Sequence, residues 1–149
     1  MAEPLRFVSP LHKATRQIGE YLADDCRRLG VEPAEGHMLS YTHLYGPCPP
    51  SELTRVFGHK PSTLTGMLDR LEAKALLVRD PNPEDRRSNL IRVTEEGASI
   101  AQRLRGQLED LERAVRARVG SRNEQGFRSV MKAIADITQI QLKEEDEKK

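Results

Sequence analysis

From the amino end, Val8, Leu11, Thr15, Ile18, Leu22 and Leu29 recur three and four residues apart. That repeat lines one face of an α-helix and predicts a first helix running to Gly30. Pro33 opens a second helix, to about Tyr45, with Met38, Tyr41, Leu44 and Tyr45 as its apolar positions. Gly46, Pro47, Pro49 and Pro50 then break the pattern and make a rigid connector. Ser51 stands where it can cap a short helix with Leu53, Val56 and Phe57 inward, and Gly58 supplies a turn. Pro61 suits the first position of the next helix, where a missing amide hydrogen costs nothing. In that helix Leu64, Met67, Leu68, Leu71 and Ala75 form the buried stripe. Leu76 to Val78 and Leu90 to Val93 read as two short strands around a turn at Asp80, Pro81, Asn82 and Pro83.

Thr94 can cap a long helix, with Glu95 and Glu96 in the first turn, where the helix dipole favours negative charge. Ala101, Leu104, Leu108, Leu111 and Val115 give it a seam close to the 3.5-residue repeat of packed helix pairs. Gly120 and Ser121 interrupt it, and a last helix carries Phe127, Val130, Met131, Ile134, Ile137 and Gln141 before the charged tail KEEDEKK. Helix, glycine turn, helix and hairpin make a winged helix-turn-helix. The expected architecture is mainly α with a small β-hairpin wing, in one domain over residues 1–149. Residues 33–97 form the winged helix-turn-helix, 1–30 and 98–142 dimerisation helices, and 143–149 a solvated tail.

The chemistry follows from what the apolar stripe leaves free. Ser62, Thr65, Gly66, Asp69, Arg70 and Ala73 lie on the opposite face of the helix that Pro61 begins, small or polar groups that suit a DNA major groove. Ser62, Thr63, Thr65 and Arg70 are the candidate base or phosphate contacts, and Lys60 stands at the helix entrance, where free amides would face a phosphate. The hairpin tip carries Glu84, Asp85, Arg86 and Arg87. Guanidinium groups on a projecting loop can enter the minor groove, whose potential is negative.

The run from Ser51 to Gly97 resembles the winged helix of the MarR family of bacterial transcriptional regulators. The most specific match is in the wing, where Asp85, Arg87, Val93, Thr94, Glu95, Glu96 and Gly97 fit the family pattern, as do Leu71 and Glu72 at the end of the recognition helix. Ala75 stands where the family usually has a helix-ending glycine, and Gly66 where a longer polar side chain is common. The resemblance implies a homodimeric repressor or activator reading double-stranded DNA at a palindromic operator. It also implies that Asp85 and Arg87 brace the wing while Arg86 or its neighbour probes the minor groove. Relatives commonly bind small lipophilic or phenolic effectors between the dimerisation helices and the reading head.

Net charge of +1 argues against a purely electrostatic DNA binder. Its distribution is more informative: Arg55 to Arg92 holds eight basic against five acidic residues, +3, whereas Met1 to Thr54 holds five against seven, −2. No apolar run approaches the roughly 20 residues of a membrane span, and MAEPLRFVSP lacks the apolar core of a signal peptide, so the expected location is the cytoplasm. His12, His37, His43 and His59 are dispersed, with no metal-ligand spacing. Neither a glycine-rich phosphate loop nor a nucleophile elbow occurs, so no enzyme and no cofactor is expected. Two other functions compete: a winged helix that binds a protein partner, and a thiol-based redox sensor. For the latter Cys26 lies on the apolar face of the first helix beside Asp24 and Asp25, and Cys48 sits between prolines in a loop where it could be exposed.

Overall fold

The computed structural model describes residues 2–140, so the expected charged tail and Gln141 lie outside the described residues. The elements run α1 (Val8–Leu29), α2 (Pro33–Tyr45), α3 (Pro50–Phe57), α4 (Pro61–Ala73), β1 (Leu77–Pro81), β2 (Asn89–Val93) and α5 (Glu95–Thr138). Among the described residues they form two compact units, one of residues 2–33 with 107–140 and one of residues 34–106.

In the first unit, α1 ends at Gly30 as the sequence predicts. Its φ of 75° lets the amides of Gly30 and Val31 reach the carbonyls of Arg27 and Cys26 at 3.2 and 3.0 Å. Of the predicted α1 stripe only Leu22 is buried, along with Cys26, while Val8 and Ile18 are exposed. The break expected in the last helical stretch is also present. Gly120 has φ 73° and ψ 164°, a conformation open essentially to glycine. Arg116 and Glu124 then pair at 3.2 Å, although eight residues of straight helix would set them about 12 Å apart. The chain therefore folds back at Gly120.

The second unit is built round α2. Its stripe was expected to be Met38, Tyr41, Leu44 and Tyr45, yet Glu35, Gly36 and every residue from Met38 to Thr42 are buried, while Leu44 is half exposed. Two of the buried polar side chains have partners inside. Ser40 Oγ donates to the Gly36 carbonyl at 2.9 Å and Tyr41 Oη to Glu52 Oε1 at 2.8 Å. Burial, and then the bond to Glu52, push the Tyr41 phenol far above its ordinary range, so it remains a donor. Leu53, Val56, Leu64, Met67, Leu68, Leu71, Leu77 and Ile91 complete this core.

Four expectations are corrected here. Ser51 does not cap α3: Pro49 is extended, Pro50 takes the first helical position, and no side chain caps the helix. Two consecutive prolines preset the backbone, and Pro50 brings no amide to satisfy. The first strand begins at Leu77 and runs through Asp80 and Pro81, which pair with Leu90 and Asn89 instead of forming the turn. Proline is accepted there because it closes the strand of a two-stranded hairpin. Cys48 is not exposed in a loop but buried: its amide donates to the Ile91 carbonyl at 3.1 Å and its carbonyl accepts from the Ile91 amide at 2.8 Å, a third rung beside the hairpin.

Finally, Ala75 is exposed, not part of the buried stripe; it ends the turn after α4 with φ 57°. In that conformation its amide reaches the Glu72 carbonyl at 2.9 Å, and the next amide reaches that of Leu71 at 3.0 Å. A β-carbon there crowds the following carbonyl at a cost of about 1–2 kcal/mol. Ala75→Gly is expected to recover about 0.5–1 kcal/mol after the extra unfolded-state freedom of glycine is subtracted. Thermal melting followed by circular dichroism checks this, and a lower midpoint would show that the turn is not strained.

Candidate nucleic-acid interface

Helix α4 presents the expected two faces. Leu64, Met67, Leu68 and Leu71 are buried, while Lys60, Pro61, Ser62, Thr63, Thr65, Asp69 and Arg70 are exposed and Gly66 is partly so. Pro61 occupies the first helical position as predicted. The side chains on the outer face are not equally free. Thr65 Oγ1 donates back to the Pro61 carbonyl at 2.9 Å. Asp69 and Glu72 both pair with Arg79 of β1, the latter at 2.9 Å. Arg70 Nε lies 2.8 Å from Glu35 Oε1, and Lys74 Nζ 3.3 Å from Glu35 Oε2. The recognition helix is thus tied to α2 by Glu35 and to the hairpin by Arg79.

Glu35 and Arg79 are anchors of α4 that the sequence reading missed. Glu35 is 1% exposed. A carboxylate so deeply buried needs compensating cations, and both of its oxygens have one. No sequence pattern links it to Arg70, thirty-five positions away. The only local hint is an acidic residue in the first turn of a helix, which is ordinary on dipole grounds.

The wing is braced by its own backbone. Asn82 Oδ1 accepts from the Glu84 amide at 3.0 Å, Asp85 Oδ1 from the Arg87 amide at 2.9 Å, and the Asp85 carbonyl from the Ser88 amide at 3.1 Å. Asp85 therefore holds Arg87 as expected, but through the main chain rather than the guanidinium, a local turn that short acidic side chains favour. Arg86 and Arg87 are exposed and make no ion pair among the described residues. Pairing also redistributes the local charge. Arg70, Lys74, Arg79 and Arg92 are engaged with carboxylates, which leaves Arg55 on α3, Lys60 at the entrance of α4 and the two wing arginines without a carboxylate partner among the described residues.

Thr94 and Gly97 lock the turn after α4 to the start of α5. Thr94 Oγ1 accepts from the Gly97 amide at 3.1 Å, the cap that the sequence predicts, and donates to the Ala75 carbonyl at 2.8 Å. Gly97 lies so close to the Leu76 carbonyl that a β-carbon would stand 2.0 Å from its oxygen.

Both cysteine thiols are buried. Burial, reinforced by Asp25 and Glu32, raises the Cys26 pKa and keeps it a neutral, unreactive thiol. His12 is exposed, and His37 and His59 pack against Phe57 at ring-centroid distances of 5.0 and 6.2 Å.

The family model of the MarR family matches residues 31–88, the span from α2 to the wing tip. Residues 31–88 thus resemble the winged helix of the MarR family. It is 34% identical over 90 residues to the multiple antibiotic resistance protein MarR of Escherichia coli, a match covering 60% of each chain. It is also 34% identical over 82 residues to the HTH-type transcriptional repressor MdtR of Bacillus subtilis, covering 55% of this chain and 53% of that protein. The chain thus matches a little over half the length of these curated relatives. Reduced E. coli MarR superposes with a TM-score of 0.73 at 25% identity, covering 89% of this chain and 98% of that one. The Staphylococcus aureus MepR–DNA complex gives 0.80 at 15% identity, covering 89% and 99%, and at that identity shares the fold. The helical fold with a two-stranded hairpin is that of these winged-helix proteins. Among the described residues no helix is long and apolar enough to cross a membrane.

Proposed function

We propose that this chain is a transcriptional repressor that binds double-stranded DNA as a homodimer at a palindromic operator. The observation that carries it is the pairing of a recognition helix whose outer face is small and polar with a wing whose Arg86 and Arg87 are exposed and make no ion pair among the described residues. Ser62 and Thr63 in the first turn of α4, with Thr65 and Arg70 behind them, face the major groove. Lys60 meets a phosphate at the helix entrance, and Arg86 with Arg87 enters the minor groove. The MarR-family match and the relatives named as repressors support this reading.

Homodimerisation draws support from apolar side chains exposed within one compact unit: Leu5, Phe7, Val8, Ile18 and Tyr21 near α1, and Val115, Val119, Phe127 and Ile137 on α5. Exposed apolar groups at this density mark a surface awaiting a partner. A two-fold dimer presents two α4 helices about 34 Å apart to successive major grooves. A small lipophilic or phenolic effector that releases the operator completes the proposal, and the cytoplasm is its place of action.

An anisotropy titration against the protein's own upstream promoter and a scrambled duplex, at several salt concentrations, tests the DNA reading. Specific, salt-dependent binding is expected; equal affinity for both duplexes at every salt concentration would remove sequence-specific regulation. Arg86→Ala should weaken binding and lower the salt slope by about one unit, because one phosphate-neutralising charge is lost. Asp85→Ala should weaken binding with the slope retained, since it loosens the turn and removes no cation. Identical slopes for wild type and Arg86→Ala would place the contact elsewhere.

A further inference from the structure

Resting on the DNA-binding role above, we infer that Arg70 is the residue that sets base specificity in α4, reading a guanine in each half-site, with Glu35 as its positioning residue and Gly66 as the gap it occupies. Past the first turn of α4 the other polar groups on the outer face are already committed: the Thr65 hydroxyl to Pro61, and Asp69 to Arg79. Arg70 differs. It gives Nε to Glu35 and remains 56% exposed, so its terminal nitrogens are left to donate. Two parallel N–H groups at the end of a guanidinium match O6 and N7 of guanine, the commonest specific arginine contact in the major groove.

The geometry also shows why this arginine is fixed. Glu35 is buried and cannot follow a moving partner, so its carboxylate pins the near side of the guanidinium before any DNA arrives. On the helix surface Nη1 lies over Gly66, 3.5 Å from where a β-carbon would stand, and nothing else comes within 4 Å of that point. A side chain at position 66 would start in van der Waals contact with the guanidinium. Glycine there leaves the base edges of the groove to Arg70 alone along this stretch of helix.

The test is selection of binding sites from a random duplex library with wild type, Arg70→Lys and Glu35→Gln, each checked for folding by circular dichroism. Lysine keeps the charge that Glu35 needs but lacks the two-pronged donor, and glutamine keeps an acceptor of the same shape, so both variants preserve the packing. Wild type should enrich sites with a guanine at one fixed position of each half-site. Arg70→Lys should lose that preference, which for one good two-pronged contact amounts to about 5–150-fold over the other bases. Glu35→Gln should reduce it by a smaller factor while affinity for the remaining positions holds, a selective effect that a merely structural role would not give. An unchanged consensus in Arg70→Lys, with affinity lowered evenly across sequences, would overturn the inference and make Arg70 a phosphate or scaffold contact while leaving the DNA-reading role intact. If wild type enriches no sequence at all, that role fails and the inference with it.

Discussion

Replacing Gly97 with alanine is expected to cost at least about 3 kcal/mol of folding stability and to lower the melting temperature by about 10 °C. The added β-carbon would lie 2.0 Å from the Leu76 carbonyl oxygen and 3.0 Å from its carbon, both main-chain atoms that no rotamer change can move aside. That carbonyl is already engaged by the Thr94 amide at 3.1 Å, so shifting it breaks the bond that closes the hairpin onto the start of α5. Helix propensity works the other way. At an unhindered helical site alanine is better than glycine by about 1 kcal/mol, so a large loss at position 97 isolates the steric term. The contrast is Gly66→Ala, where the only neighbour of a new β-carbon is the end of a flexible arginine at 3.5 Å. Chemical denaturation of the two variants side by side decides it, and equal stabilities would show that α5 can shift away from Leu76 without penalty.

In the proposed homodimer, Phe127→Glu is expected to raise the dissociation constant at least about 100-fold, because two-fold symmetry would place the new carboxylate in the interface twice and each must be desolvated without a cation. Phe127 is 56% exposed within the chain, so the protomer itself should stay folded and keep its helical signal. A monomer spans one half-site and loses the effective concentration that the second reading head provides. Operator affinity should therefore fall by at least about 100-fold as well, with no change in which bases are preferred. Light scattering across a dilution series reads the first effect and anisotropy the second. A variant that remains as dimeric as wild type would move the interface away from this face of α5.

The elements that are legible in the sequence are those set by local rules. Helix α1 ends at Gly30, α2 spans Pro33 to Tyr45, α4 starts at Pro61, Thr94 caps α5, and Gly120 breaks it, all as read from residue types and spacing. Each depends on a backbone preference or hydrogen bond confined to a few neighbouring residues, and such preferences are carried by the residue itself. The small, polar outer face of α4 and the exposed arginines of the wing were legible for the same reason: a period of 3.6 residues fixes which side chains cannot be buried together.

What the tertiary structure decided is which polar groups are inside and with whom they pair. A glutamate in a first helical turn reads as a solvated dipole partner, and only the folding of α4 against α2 turns Glu35 into a buried anchor for Arg70 and Lys74. Cys48 reads as an open loop thiol until Ile91, more than forty residues on, pairs with its backbone. Gly97 reads as the last letter of a family pattern, and its necessity becomes physical only when the Leu76 carbonyl is seen against it. The sequence by itself determined the helices, the turns and the sign of the reading face. Long-range pairing, which no local spacing encodes, determined which of its charges stay open on that face.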